Sequence, residues 1–454
     1  MPDLTDIFSR QKAYLKAGYS LGFDFRVYEL KKLKNAVKTY ESRLLEALEL
    51  DLGKSEFEAY ETEIGIVYSE IDYALDHVHA WMKPKKKCTP ISLFPAKSMV
   101  YPMPRGVVLI MSPWNYPVLL TLSPLIAAMS AGNCAIVKPS RYSENVSRVL
   151  CEMIGKFFKD KYIACVEGGR DVNTALLKIP FDHIFFTGSK KVGKVVMKAA
   201  ADLLTPVTLE LGGKSPCIVD GSFDADLAAK RIIWGKCVNA GQTCVAPDYL
   251  IIHSSKKAEF LKSAEKYISE FFGENPLSSR DLGHIINLKH FERLTGLLEG
   301  EKILIGGRYD RGSLKIEPTL IDADEGSKFM DDEIFGPVLP VITYDSPDQI
   351  YTLIEEHPNP LALYLFTMRS STEKEMISFI NFGGGCINDT VMHLANENIP
   401  FGGIRDSGIG SYHGKAGFDT FTHYRSVVKR GKTDVKVKYP PYGDKISILR
   451  KIMK

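Results

Sequence analysis

Two side chains in this 454-residue sequence sit in settings suited to covalent chemistry. Cys244 lies in Asn239-Ala240-Gly241-Gln242-Thr243-Cys244-Val245-Ala246-Pro247, a stretch of small residues after a helical segment that offers little apolar cover. A reachable thiol beside a base is a nucleophile, because the base takes the proton that keeps sulfur inactive. Spacing alone leaves an incidental loop thiol equally open. Glu210 lies in Thr208-Leu209-Glu210-Leu211-Gly212-Gly213-Lys214-Ser215-Pro216. A carboxylate among apolar strand residues loses solvation, and burial raises its pKa toward the range of a general base. The competing reading is a salt-bridged Glu at a strand end.

Phosphate binding has two candidate positions. The sequence has no Gly-x-Gly-x-x-Gly, but Phe185-Phe186-Thr187-Gly188-Ser189-Lys190-Lys191-Val192-Gly193 ends a strand, turns at glycine and opens a helix at Ser189. Free N–H groups at a helix start favour a phosphate, although the same pattern serves as a plain structural cap. Lys138, in Ala135-Ile136-Val137-Lys138-Pro139-Ser140, ends an apolar strand. Ligands bind at the carboxyl ends of parallel strands; a solvated strand end is the alternative. His77 and His79 are two apart on a predicted helix and face different ways. With no His-Glu-x-x-His either, no metal site or Ser-His-Asp triad is expected.

Eight cysteines form no Cys-x-x-Cys pair, which removes support for structural zinc. Cys134, Cys165 and Cys217 lie in apolar runs and are expected as buried free thiols, in keeping with a reducing compartment.

Positioning these groups falls to alternating elements. Leu30, Leu33, Val37, Leu44, Leu45 and Leu48 recur at helical spacing and predict a helix over 26–50; 61–82 reads as a second. Residues 83–100, with three prolines and five lysines, read as an exposed excursion. Strands are then predicted at Val107–Met111, Cys134–Lys138, Ile163–Val166, His183–Phe186 and Val207–Leu211, with helices between them. A second alternating block places strands at Cys217–Val219, Tyr249–His253, Lys315–Ile321, Val338–Tyr344, Leu361–Thr367 and Gly385–Asn388. Short apolar strands separated by helices imply parallel βαβ units, hence two doubly wound α/β domains meeting near Gly212-Gly213.

Composition limits the function. Apolar residues at 45% and charged residues at 25% are ordinary for a folded chain, and 58 Lys+Arg against 55 Asp+Glu argues against a dedicated nucleic-acid binder. The positive charge gathers in Lys429–Lys454, which carries a net of +7. The start of the chain is polar, without a signal-peptide core. The apolar stretch Val118–Ala131 is interrupted by Thr121, Ser123 and Pro124 and is too short to span a bilayer. A cytoplasmic enzyme is the expectation.

The pieces also occur in a recognisable order: Pro113-Trp114-Asn115-Tyr116-Pro117, Val137-Lys138-Pro139-Ser140, Phe186-Thr187-Gly188-Ser189, Leu209 to Pro216, Gly241-Gln242-Thr243-Cys244, Glu333-Ile334-Phe335-Gly336-Pro337-Val338 and Pro400-Phe401-Gly402-Gly403. This order resembles the aldehyde dehydrogenase superfamily over nearly the whole chain. Ser407-Gly408-Ile409-Gly410-Ser411-Tyr412-His413-Gly414 and Tyr439-Pro440-Pro441-Tyr442 resemble its class 3-like branch.

The resemblance implies a Cys244 thiolate that attacks an aldehyde, and an oxyanion held by the Asn115 amide and the Cys244 N–H. A thioester follows, hydrolysed by water that Glu210 activates. It implies NAD or NADP as cofactor, without metal. Glu333 would hold the nicotinamide ribose, with Phe335 packed beside the cofactor. Lys138 would bind the adenosine ribose, with Trp114, Ser189 and the Gly188–Gly193 turn at the pyrophosphate. Tyr116, Thr243 and Phe401 suggest an apolar tunnel for aliphatic or aromatic aldehydes. Two Rossmann-like domains are expected, 1–82 with 103–211 for the cofactor and 212–424 for catalysis. A small β element, 83–102 with 425–454, would join two subunits of a homodimer. Peripheral membrane contact by the basic tail is the less favoured reading for that segment.

One position departs from the superfamily pattern: Arg141 stands where Glu is common, which points toward good use of NADP. Two alternatives are a CoA-acylating relative, in which CoA cleaves the thioester, and a catalytically silent binding or structural protein on the same fold. Glu210 argues against the first, and Cys244 with Glu210 against the second.

Overall fold

The computed structural model describes residues 3–324, 326–434 and 436–453. The fold is α/β, with two mostly parallel sheets and two small antiparallel ones, of three and two strands. The first sheet runs, in spatial order, Gly408–Ile409, Val207–Leu211, His183–Gly188, Val107–Met111, Cys134–Lys138, Ile163–Cys165. All its pairings are parallel except that of Gly408–Ile409 with Leu209 and Glu210. The second sheet runs Lys302–Ile305, Thr319–Asp322, Val338–Tyr344, Tyr249–His253, Pro216–Val219, Ala362–Phe366, Gly384–Ile387. The alternation expected from the sequence is present in both blocks, with element ends moved by a turn or less. Every residue of Val107–Met111 and of Cys134–Lys138 is buried, which is why these strands read as unbroken apolar runs.

Several expectations need correction. The helix Leu4–Lys16 was not foreseen. It buries Leu4, Ile7, Phe8 and Gln11 at helical spacing, and the fourth of these is polar, which weakens the apolar signal. The Gln11 amide is satisfied by the carbonyls of Ala135 (3.0 Å) and Asp160 (2.9 Å). The first long helix runs Phe23–Leu52 and stops at Gly53, whose φ of 66° the αL conformation requires. The helix expected over 61–82 starts only at Gly65, after a π-helical turn, Tyr60–Ile64.

The single strand expected at 315–321 is two strands. Lys315–Ile316 pairs with Tyr309–Asp310, and Thr319–Asp322 joins the second sheet. Pro318 sits between them and has no N–H to give a ladder. The excursion at 83–100 is exposed but ordered: Ala96–Pro104 pairs antiparallel with Thr422–Arg430 over nine residues, with Lys85–Lys87 on its other side.

Cys134 and Cys217 are buried free thiols. Cys165 is not free; it forms a disulfide with Cys151. Of the three cysteines expected as buried free thiols, Cys165 is therefore corrected.

Candidate active site

The Cys244 loop is built on strained backbone. Helix Ala225–Cys237 ends, and Asn239, Ala240 and Gly241 follow with φ of 54°, 51° and 72°. Two non-glycine residues in this region cost about 1–2 kcal/mol each, so neighbours must hold them. The Glu58 carboxylate accepts the Asn239 N–H. Asn239 Nδ2 donates to the carbonyls of Asn115 (2.8 Å) and Gln242 (3.1 Å). The Gln242 amide donates to the carbonyls of Asn239 (3.1 Å) and His284 (3.0 Å) and accepts the Ile286 N–H (2.9 Å). A Cβ on Gly241 would lie 2.2 Å from the Gly336 carbonyl oxygen, so only glycine fits there.

Cys244 stays partly exposed. Desolvation pushes its thiol up to about 12, and the Glu333 and Glu210 carboxyls add to the rise; its own N–H and that of Val245 oppose it. In this state the sulfur is a protonated thiol, and a base must act to make it a nucleophile.

Asn115 comes from the turn between strand Val107–Met111 and helix Leu119–Ser130. Its side-chain N–H donates to the Gln242 carbonyl at 3.0 Å, which places the amide against the Cys244 loop. The next residue repeats the contact: the Tyr116 hydroxyl meets Thr243 Oγ1 at 2.5 Å. Thr243 and Tyr116 are both buried.

Glu210 faces Thr187 and Gly408 across the first sheet. It is 3% exposed, and neither carboxylate oxygen has a hydrogen-bond partner among the described residues. The salt-bridged reading is thus excluded. Burial alone drives its pKa well above the ordinary carboxylate range. A buried carboxyl without partners is costly, and such groups mark sites where a substrate or water completes the bonding.

Of the groups assigned to cofactor, Trp114, Lys138, Gly188 and Ser189 stand at or just after the carboxyl ends of strands of the first sheet. Glu333 packs against Gly212, where a Cβ would lie 2.0 Å from its Oε2. Its Oε1 is buried without a partner, and burial, with Asp248 next, raises it to about 8. Phe335, at φ 53°, meets the Trp114 ring edge-on at 5.3 Å.

Lys138 is 4% exposed, with Nζ donating to the Pro139 carbonyl at 3.0 Å. Burial, then Arg141, lowers it to about 8. Ser189 caps helix Lys190–Asp202 by accepting the Val192 N–H. Gly188 lies under the Phe186 ring, which a Cβ would approach to 2.7 Å. Gly193 lies inside that helix, where a Cβ would meet Leu211 at 2.7 Å, so its place is in helix-on-sheet packing. Arg141 is exposed beside the Tyr142 ring, and its Nη1 lies 3.2 Å from where a Gly169 Cβ would stand. Glu144 pairs with Arg148 at 3.0 Å.

Phe401 is joined to Tyr412 by a backbone bridge and stacks on His413 (5.3 Å, 19°), with His393 at 5.8 Å. The sequence reading gave neither histidine a role. Burial lowers both to about 4, so they are neutral rings beside Phe401. Tyr364 was also missed; its hydroxyl donates to the Val245 carbonyl at 2.5 Å and so buttresses the Cys244 loop from the second sheet.

Residues 13–427 match the aldehyde dehydrogenase family. The chain belongs to that family. It is 47% identical over 451 residues to a 4,4'-diaponeurosporen-aldehyde dehydrogenase of Staphylococcus aureus, covering 98% of each chain. It is 43% identical to aldehyde dehydrogenase family 3 member A2 of Mus musculus, covering 96% of this chain and 91% of the relative. It is 40% identical to a dimeric NADP-preferring aldehyde dehydrogenase of Canis lupus familiaris, covering 97% and 98%. A substrate-bound structure of Staphylococcus aureus AldH superposes with a TM-score of 0.98 at 46% identity, over all of both chains. The class 3-like resemblance is therefore established, and this aldehyde dehydrogenase is a non-acylating oxidoreductase that uses NAD(P).

The residues present fit that cofactor. Thr187 Oγ1 and Glu333 Oε1 are buried donors or acceptors left without partners among the described residues. Lys138 stands at a strand end and Ser189 at a helix start, where ribose and phosphate groups bind. Among the described residues no group of three or more His, Cys, Asp or Glu could hold a metal ion.

Proposed function

We propose that Cys244, Asn115 and Glu210 divide the oxidation of an aldehyde to its carboxylic acid among them. The Cys244 thiol proton passes to water acting as base, Sγ bonds to the carbonyl carbon as the C=O π pair moves onto oxygen, and the resulting oxyanion is held by the second N–H of the Asn115 amide and the Cys244 backbone N–H. Bound NAD(P) supplies a hydride acceptor, which leaves a thioester on Cys244. Glu210 takes a proton from water; the hydroxyl oxygen adds to the thioester carbon, the C–S bond breaks, and the acid departs. The observation that carries this reading is Glu210, a buried carboxyl with both oxygens unpartnered beside a nucleophile loop. The test is NAD(P)H formation from aldehyde with and without CoA. We expect equal rates and free acid in both, whereas a CoA requirement with acyl-CoA as product would assign the acylating reaction.

We assign cofactor binding to Trp114, Lys138, Arg141, Gly188, Ser189, Glu333 and Phe335, with Gly193 holding their helix against the sheet. Tyr116, Thr243 and Phe401, joined by His393 and His413, form an apolar wall suited to aliphatic or aromatic aldehydes. The Staphylococcus relative named for 4,4'-diaponeurosporen-aldehyde supports an apolar substrate. We keep as our reading the division 1–82 with 103–211, 212–424, and 83–102 with 425–454, with strand Gly408–Ile409 of the middle segment lying in the first sheet. We assign homodimer formation to the last of these, since strand Thr422–Arg430 leaves Tyr424, Val427 and Val428 exposed.

Cofactor choice is assigned to Arg141. A Glu there would stand near a 2′-phosphate, and two like charges ~4 Å apart cost about 4 kcal/mol at an effective dielectric of 20. Arg141 removes that repulsion and offers a paired N–H fork. Glu144 pairs with Arg148 rather than with Arg141. We expect good use of NADP, and Arg141→Glu is expected to shift the ratio of kcat/KM values toward NAD by about tenfold or more. An unchanged ratio means that the side chain never meets the ribose.

A further inference from the structure

Behind the Asn115 turn lies an ion pair with no solvent exposure. Lys54 Nζ meets Glu63 Oε1 at 2.6 Å, and both side chains are 0% exposed. Glu63 Oε2 accepts the N–H groups of Val118 (2.8 Å) and Leu119 (3.2 Å), where helix Leu119–Ser130 begins. A carboxylate at that point satisfies otherwise unpaired N–H groups and complements the positive end of the helix. The Lys54 ammonium also lies 3.5 Å from the Asn115 carbonyl oxygen and 4.0 Å from the centre of the Tyr116 ring. The same Asn115 carbonyl receives Asn239 Nδ2 at 2.8 Å from the nucleophile loop. One carbonyl is thus clamped between a cation and the loop that bears Cys244.

Stability does not explain such a pair. Removing two charges from water is costly, and replacing a buried pair by neutral side chains is often neutral or favourable. Glu63 stands in the π-helical turn Tyr60–Ile64, a feature frequent at functional sites. The hydrogen bonds and the ring contact of the pair end on Asn115, on Tyr116 and on the start of the helix that follows them, and the Lys54 charge also favours the ionised form of Glu58, which accepts the Asn239 N–H.

We propose that Lys54, held by Glu63, is a positioning residue for the oxidation: it fixes the Asn115–Tyr116 turn so that the Asn115 amide meets the oxyanion. This rests on the reading of Asn115 as an oxyanion donor. Misplacing such a group by about 1 Å can cost ~10²-fold, so neutralising the pair should slow oxyanion-forming steps alone.

The test needs no cofactor. With p-nitrophenyl acetate, Cys244 Sγ adds to the ester carbonyl, the ester C–O bond breaks, nitrophenolate leaves, and the thiol proton passes to water. This step forms an oxyanion. Alkylation of the same thiol by iodoacetamide displaces iodide and forms none. The double variant K54M/E63Q removes both charges together; E63Q alone keeps the shape and an acceptor for the Val118 N–H, and serves if the double variant does not fold. The expected result is a nitrophenolate burst slowed by about tenfold or more while the iodoacetamide rate stays within about twofold. A smaller loss, or equal losses in both reactions, overturns the proposal. Asn115→Ala run beside them separates the two claims: an unaltered burst there refutes the oxyanion reading itself, whereas a lost burst there with a normal one in the pair variants refutes only the role of Lys54.

Discussion

Cys244→Ala is expected to lower aldehyde oxidation by at least about 10⁴-fold, the order found when a covalent nucleophile is removed. The substitution deletes one sulfur from a partly exposed position, and no described hydrogen bond that shapes the 239–244 loop uses that atom except the N–H contacts of Cys244 and Val245. The fold and cofactor binding should therefore survive, as circular dichroism and a fluorescence titration with NADPH would show. Cys217 and Cys237 provide the contrast. Both are buried, and burial raises both thiols, that of Cys237 to about 12. Their replacement by alanine should leave turnover per folded chain unchanged. More than a trace of turnover in Cys244→Ala would show that another group bonds to the aldehyde.

Glu210→Gln is the second large effect. Glutamine keeps the shape and cannot take the proton, and a general base is worth ~10²–10⁴ in rate. The loss should fall on hydrolysis of the thioester, not on its formation, so one equivalent of NAD(P)H per active site should appear in a burst before slow turnover. The pH dependence follows from the environment. Burial holds the Glu210 carboxyl above its ordinary range, so the active carboxylate fraction grows as pH rises. The native hydrolysis rate should climb with pH, and the variant should lose that slope. A slowed enzyme with no burst would move Glu210 to an earlier step.

What the sequence made legible is local. Apolar runs of four or five residues between amphipathic helices gave both sheets, because strands buried on both faces carry an unbroken signal. Glu210 stood out because a carboxylate in such a run has no local partner, and the fold supplies none. What stayed hidden depends on distant pairing. Ala96–Pro104 finds Thr422–Arg430 more than three hundred residues later; the family resemblance put 83–102 and 425–454 together, but neither segment is buried enough to show a pattern of its own. Gly408–Ile409 joins the first sheet beside Glu210 in two residues, too few for any periodicity. Lys54 and Glu63 look like ordinary surface charges in the sequence; only the fold brings them together with no exposure. Gly193 reads as part of a phosphate turn until the structure seats it against Leu211.

The covalent thioester is the central claim, and rapid acid quenching of Glu210→Gln during turnover, followed by mass spectrometry, tests it most directly. The account predicts one acyl group of the substrate's mass per chain, located on the peptide containing Cys244 and accumulating with the burst of NAD(P)H. NAD(P)H formed in stoichiometric amount while Cys244 remains unmodified would contradict it.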